Sequence, residues 1–161
     1  MIDFINKHEV DKWQITNDAV MGGCSNGNIS ISEEQGIFTG NISLKNNGGF
    51  SAVYRTVNSL NIGLEHVTID IQGDGETYQV RLIVNVSGYR MAYKHSFNSI
   101  AGQRQKIRFT LADFQASFRG RNIMTAAVLK SEDIDQVGFL VTKKVTGPFL
   151  LSIFSLKFGR S

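Results

Sequence analysis

The chain has 161 residues, 42% of them apolar and 10% aromatic, which is enough to bury one substantial core. Its 17 Lys and Arg against 14 Asp and Glu leave it mildly basic, and a single cysteine, Cys24, excludes an internal disulfide. No apolar run approaches the length of a membrane-spanning helix, and MIDFINKHEVDKW lacks the basic-then-apolar plan of a signal peptide, so a soluble cytoplasmic protein is expected.

In chain order, the first unusual stretch is NDAVMGGCSNG, residues 17–27. Gly22 and Gly27 have the glycine spacing of a phosphate-binding loop, but Asn28 and Ile29 stand where that loop requires a lysine and a hydroxyl, so that chemistry is rejected. A nucleophilic Cys24 would need an oriented base, and His8, His66 and His95 are scattered without a recognisable signature. They also show no metal-ligand spacing, so neither a metal nor another cofactor is expected. What survives is a rigid turn in which Asn17 and Asp18 bond back to the backbone while Gly22 and Gly23 let a neighbouring strand pass close.

From residue 37 onward the pattern has a period of two. IFTGNISL, GFSAVYRTV, HVTIDIQG, TYQVRLIVN, MAYKHSF, KIRFTL, VGFLVT and PFLLSIFSLKF read as strands. In TYQVRLIVN, Tyr78, Val80, Leu82 and Val84 share one face; Val67, Ile69 and Ile71 do so in HVTIDIQG, and Ile107, Phe109 and Leu111 in KIRFTL. SNGN, NNGG, GDGE, SG and TG read as turns, with Gly48, Gly49, Gly73, Gly75, Gly120 and Gly147 as structural turn residues. The only proline, Pro148, sits at a strand start, where a missing N–H is tolerated. Single helical turns are expected at LADF and SEDID. Strands so numerous, separated by such turns, predict an all-β, two-sheet antiparallel sandwich occupying residues 1–161 as one domain.

Several residues invite a functional reading beside a structural one. In NNGGF, Asn46 and Asn47 are a candidate amide pair facing a ligand, or a glycine turn leading Phe50 into the core. Asp74 of GDGETY offers a single carboxylate, few oxygens for calcium and ordinary for a hairpin turn. In FRGR, Arg119 and Arg121 present forked donors on a long irregular connection, to an external anion or to loop carbonyls. Tyr93, His95 and Phe97 share one strand face, as a sugar-stacking surface or as core. Charge is uneven: residues 1–103 carry seven Lys or Arg against ten Asp or Glu, residues 104–161 ten against four. Arg104, Lys106 and Arg108 alternate as one polar strand face does, so nucleic acid is not the expected partner.

Five motifs in order, NDAVMGGCS following Trp13, FTGNISLKNNGGFSAVYR, QGDGETYQVRL, FQASFRGR and VGFLVTKKVTGPFLLSI, resemble those of the complex I intermediate-associated protein 30 family, over roughly Trp13 to Phe158. The resemblance implies a galactose-binding-domain-like jelly roll, the fold of several carbohydrate-binding modules. The family's founding member is a mitochondrial chaperone for complex I assembly. This chain departs from the family pattern at QRQKIRFTL, where a tryptophan is common, and at Lys143 and Val145, where acidic residue and glutamine are common. The reading is therefore a non-catalytic binding or assembly module with a protein partner, a saccharide being the alternative and an uncharacterised enzyme the more remote one. Its candidate partner-binding residues are Asn17, Asp18, Asn46, Asn47, Arg55, Arg81, Arg119 and Arg121, of which Asp18, Asn46 or Asn47, and Arg119 or Arg121 are expected to converge on one sandwich edge.

Overall fold

The computed structural model describes residues 1–17, 23–45 and 49–160. Among them, strands β1 (Ile2–Asp3), β3 (Asn26–Ser32), β4 (Gln35–Ile42), β6 (His66–Gln72), β9 (Arg104–Thr110) and β13 (Gly147–Gly159) form one antiparallel sheet. Strands β2 (Trp13–Asn17), β5 (Phe50–Thr56), β7 (Thr77–Val86), β8 (Tyr89–Asn98), β10 (Gln115–Phe118), β11 (Arg121–Asn122) and β12 (Ile134–Thr142) form the other. The spatial orders are β3-β4-β13-β6-β9, with β1 beside β13, and β11-β10-β8-β7-β12-β5-β2. The last two strands are interior: β12 joins β5 to β7, and β13 joins β4 to β6.

The expected alternation sets which face is buried. Tyr78, Val80, Leu82 and Val84 of β7 meet Val67, Ile69 and Ile71 of β6, Phe109 of β9 and Phe149, Leu151 and Ile153 of β13 in one core. Phe38 and Phe149 pack edge to face at 4.8 Å between ring centres, a geometry favoured by the aromatic quadrupole. Leu111–Asp113 and Ser131–Asp133 are the two expected helical turns, both 3-10, and a third covers Lys7–Lys12.

Four local expectations are corrected. SNGN is not a turn: Asn26 opens β3, and Gly27 is a strand residue because Ser51 of the opposite sheet occupies the space a Cβ would need. The real turn is Glu33–Glu34, a two-residue hairpin with both φ positive. FRGR is not a long irregular connection, since Phe118 pairs with Arg121 around a two-residue turn at Arg119 and Gly120, φ +50° and +80°. Phe50 does not enter the core; the register of β5 turns Ser51 and Val53 inward and leaves Phe50 on the outer face.

GDGE, finally, is a crossing from one sheet to the other, between β6 and β7. Its Asp74 carboxylate accepts hydrogen bonds from the Tyr78 hydroxyl (2.8 Å) and the Glu76 amide (3.1 Å) through Oδ1, and from the Leu150 amide (2.8 Å) through Oδ2. One side chain thus ties β7 to β13. Burial, then the neighbouring Asp74 charge, push the Tyr78 phenol above its ordinary range. Because the folded state holds that proton more tightly, the contribution is complete below the free tyrosine value of about 10 and declines as pH rises beyond it. Tyr78→Phe should flatten the alkaline fall in stability, and Asp74→Ala should cost about 1–3 kcal/mol by leaving the hydroxyl of buried Tyr78 without its acceptor, both measured by urea unfolding across pH.

Candidate functional site

The outer face of the seven-stranded sheet carries a second apolar cluster. Ala52 and Tyr54 of β5, Ile83 of β7, Ala92 of β8 and Leu140 of β12 are buried although they point away from the core, and Phe50 packs against them. Tyr54, only 6% exposed, reaches its place because β12 has glycine beside it: a Cβ on Gly138 would fall 2.6 Å from the Tyr54 ring. Small residues at Ala52, Gly138 and Ala92 thus sink the middle of this face, and longer polar residues border it.

The border is rich in cations. Register places Arg81 of β7 between Gly138 and Lys94 of β8. Arg81 donates to Gln79 (3.0 Å), and Arg90 lies 4.6 Å from the Tyr54 ring centre while donating to Gln136 through Nη2 (3.1 Å). At one end of the face, Gln79, Ser96, Leu140, Thr142 and Lys144 line a hollow of about 540 Å³. At the other, Thr56, Ile83, Arg90, Asp135 and Gln136 line one of about 260 Å³. Six residues of β12 separate the two ends, a trough roughly 20 Å long at strand rise. Lys143, at the first end, is held by Glu76 (3.2 Å) and the Pro148 carbonyl (2.9 Å), whereas Lys94 and Lys144 form no ion pair among the described residues.

The sequence-derived candidates divide between locations. Arg81 lies in the trough. Asn17 ends β2 opposite Ser51, and Gly49 accepts a hydrogen bond from Thr142, so both stand at the larger hollow's end of the sheet. Asp18, Asn46, Asn47, Gly22 and Gly48 lie outside the described residues. Arg119 and Arg121 are at the opposite end and on the opposite edge, because β2 and β11 bound the sheet and β10 pairs with the Ala92–Lys94 part of β8. The expected convergence of Asp18 and Asn46 or Asn47 with these arginines falls on residues outside those described; the hairpin itself places Arg119 beside Val86, Tyr89, Met91 and Ile123, around an apolar hollow of about 480 Å³. Arg55 turns to the core side and grips Glu9 through Nε (2.6 Å) and Nη2 (3.2 Å), while Glu9 also accepts from the Trp13 indole (2.9 Å).

Gly49, Gly75 and Gly120 have φ of +138°, +93° and +80°. Gly73 abuts Ser99, and Gly147 and Pro148 open β13 opposite Ile42 and Asn41. Tyr93 and Phe97 are buried in the core, and His95 packs between Phe109 and Phe114, which removes that trio as an exposed sugar platform. Cys24 is exposed. Among the described residues no group of three or more His, Cys, Asp or Glu is placed to hold a metal ion, and no helix is long and apolar enough to cross a membrane.

Sequence reading missed Tyr54, Arg90 and Lys94 as a set. Each occupies an outward position of its strand, but only the pairing of β8 with β7 and of β12 with β5 brings them to one trough.

Two antiparallel sheets around one core, with a trough on the outer face of one, define a jelly-roll β-sandwich of the kind found in carbohydrate-binding modules. The chain belongs to the complex I intermediate-associated protein 30 (CIA30) family, whose model matches residues 2–153. In structure it is similar to the family 11 carbohydrate-binding module of the cellulosomal cellulase Lic26A-Cel5E of Clostridium thermocellum (TM-score 0.74, 13% identity, 100% of this chain and 94% of that one). The module from the same organism in complex with a β-1,3-1,4-mixed-linked tetrasaccharide gives a TM-score of 0.71 at 13% identity, over 99% and 95% of the chains. The agarase AgWH50C matches at TM-score 0.62 and 14% identity, over all of this chain and 24% of the enzyme. No curated protein matches in sequence.

Arg55→Ala should behave as a folding variant, losing about 1–3 kcal/mol because the buried Glu9 carboxylate is left with one strong donor fewer, read by denaturant unfolding with Trp13 fluorescence as probe.

Proposed function

We propose that the protein is a cytoplasmic, non-catalytic binding module of the assembly-factor kind, whose partner is a protein segment carrying acidic side chains laid along the trough of the seven-stranded sheet. The observation that carries this reading is the cation border, Arg81, Lys94, Arg90 and Lys144, around an apolar floor of Tyr54, Ile83 and Leu140. Arg81 and Arg90 are already aligned by Gln79 and Gln136, which lowers the ordering cost of meeting a carboxylate. Asn17 and Gly49 stand at the larger hollow's end of this same sheet. Membership of a family described as complex I intermediate-associated supports a protein partner.

A saccharide is the second reading, favoured by the fold's likeness to carbohydrate-binding modules and by the amide and hydroxyl groups of Gln79, Ser96 and Thr142 in the larger hollow. It is the weaker because sugar rings stack on open aromatic faces, whereas Arg90 covers the Tyr54 ring.

Pull-down with mass spectrometry, comparing the wild type with Arg81→Glu/Lys94→Glu, tests the proposal. Capture of the partner should fall by roughly tenfold or more with the melting temperature little changed, since both residues are on the surface of the sheet. Unchanged capture by the charge-reversed protein would refute the trough as the partner surface, and retention of mixed-linked glucan oligosaccharides on a glycan array would select the second reading.

A further inference from the structure

The opposite outer face, that of the six-stranded sheet, holds an unrelated cluster. Register aligns Lys157 of β13, Thr68 of β6 and Arg108 of β9 in one row across three hydrogen-bonded strands, and Ser155, Asp70 and Lys106 in the next. Asp70 is the acidic member of these rows, and its carboxylate is already engaged: Arg104 reaches both oxygens at 2.9 Å while stacking 3.8 Å above the Phe154 ring. Lys106, Arg108 and Lys157 are exposed and form no ion pair among the described residues.

These residues line a hollow of about 430 Å³ together with His66, a volume ordinary for a small-molecule site. His66 is 93% buried. Its Nε2 lies 3.1 Å from the Arg160 carbonyl oxygen, so this nitrogen carries the proton, and the buried Nδ1 is left without a partner. Arg160 donates to the Ile62 carbonyl (2.7 Å) and adds its own charge at the rim of the hollow, beside Lys106, Arg108 and Lys157.

Two inter-strand spacings, about 10 Å, separate the backbones of Lys157 and Arg108, a gap both side chains can close onto one oxoanion above the Thr68 hydroxyl. We propose that this hollow binds the phosphate groups of a small phosphorylated ligand, with Arg108 and Lys157 as the clamping cations, Lys106 as the third charge and Thr68 as hydroxyl donor. A compact ligand suits the row better than a polymer, because the cations gather within one row and its neighbour and Arg104, the next along β9, is neutralised by Asp70. The site lies on the side of the sandwich away from the trough, so the two stand or fall separately.

The test uses inorganic pyrophosphate as probe, with amide chemical-shift mapping and calorimetry at low ionic strength. Saturable binding is expected, with shifts centred on Thr68, Arg108 and Lys157. Affinity should fall roughly tenfold in Arg108→Gln/Lys157→Gln and change much less in Arg119→Gln/Arg121→Gln, which removes the same net charge elsewhere. Should Arg108→Gln/Lys157→Gln not fold, the wild-type shift map and the charge-preserving Arg108→Lys variant carry the decision. Absence of saturation, shifts spread over every cationic patch, or an equal loss in Arg119→Gln/Arg121→Gln would overturn the proposal. Binding of an oligonucleotide or of phosphatidylserine vesicles through these residues without binding of pyrophosphate would overturn it too, in favour of a polyanion surface.

Discussion

A sandwich works only if its two sheets keep a fixed separation and rotation, and here one carboxylate does much of that. Asp74 sits on the crossing from β6 to β7 and accepts from the phenol of one sheet and from an amide of the other. Three donors converge on a single small side chain, so the crossing cannot shift without breaking these bonds, among them that of the buried Tyr78. Glu9 makes a comparable junction elsewhere, where Trp13 and Arg55, opposite one another on β2 and β5, both donate to it. Polar groups of this kind contribute little net energy beyond the hydrophobic core, yet they select one arrangement among many that bury equal area.

With the sheets fixed, the two outer faces are free to diverge in chemistry. On the seven-stranded side, small residues let Tyr54 and Leu140 sink, so this face carries a shallow apolar floor under a polar border. The six-stranded side has no comparable buried cluster among the described residues; its rows are threonine, serine, aspartate and basic residues. A common core thus supports one face with an apolar, cation-bordered floor and another with rows of hydroxyl and basic groups. The fold constrains neither choice.

The fold was legible because period-two burial is a local signal. Tyr78 to Val84 and Val67 to Ile71 declared their inward faces without reference to any other strand. Errors arose where a local motif had a distant cause. Gly27 resembled a turn residue, but the reason for its glycine is Ser51, on the other sheet. Asp74 resembled a hairpin tip, and its true partners include Leu150, 76 positions away. The trough was less legible still: Arg81 belonged to a recognisable motif, whereas Lys94 and Arg90 gain meaning only when β8 is laid against β7. Arg55 misled in the opposite direction, since a cation within a family-like motif proved to be committed to Glu9.

The order of the strands has a consequence for how the molecule comes into being. On a ribosome, β12 and β13 emerge after the other strands described, yet each is the member that joins two halves of its sheet. Before then the nascent chain can assemble the β3–β4 hairpin, the β6–β9 pair, the β2–β5 pair and the β7–β8–β10–β11 group, each bounded by strand edges awaiting a neighbour. Vectorial synthesis therefore leaves these groups of described strands with unpaired backbone edges until β12 and β13 arrive, a period in which edge-to-edge association between chains competes with completion.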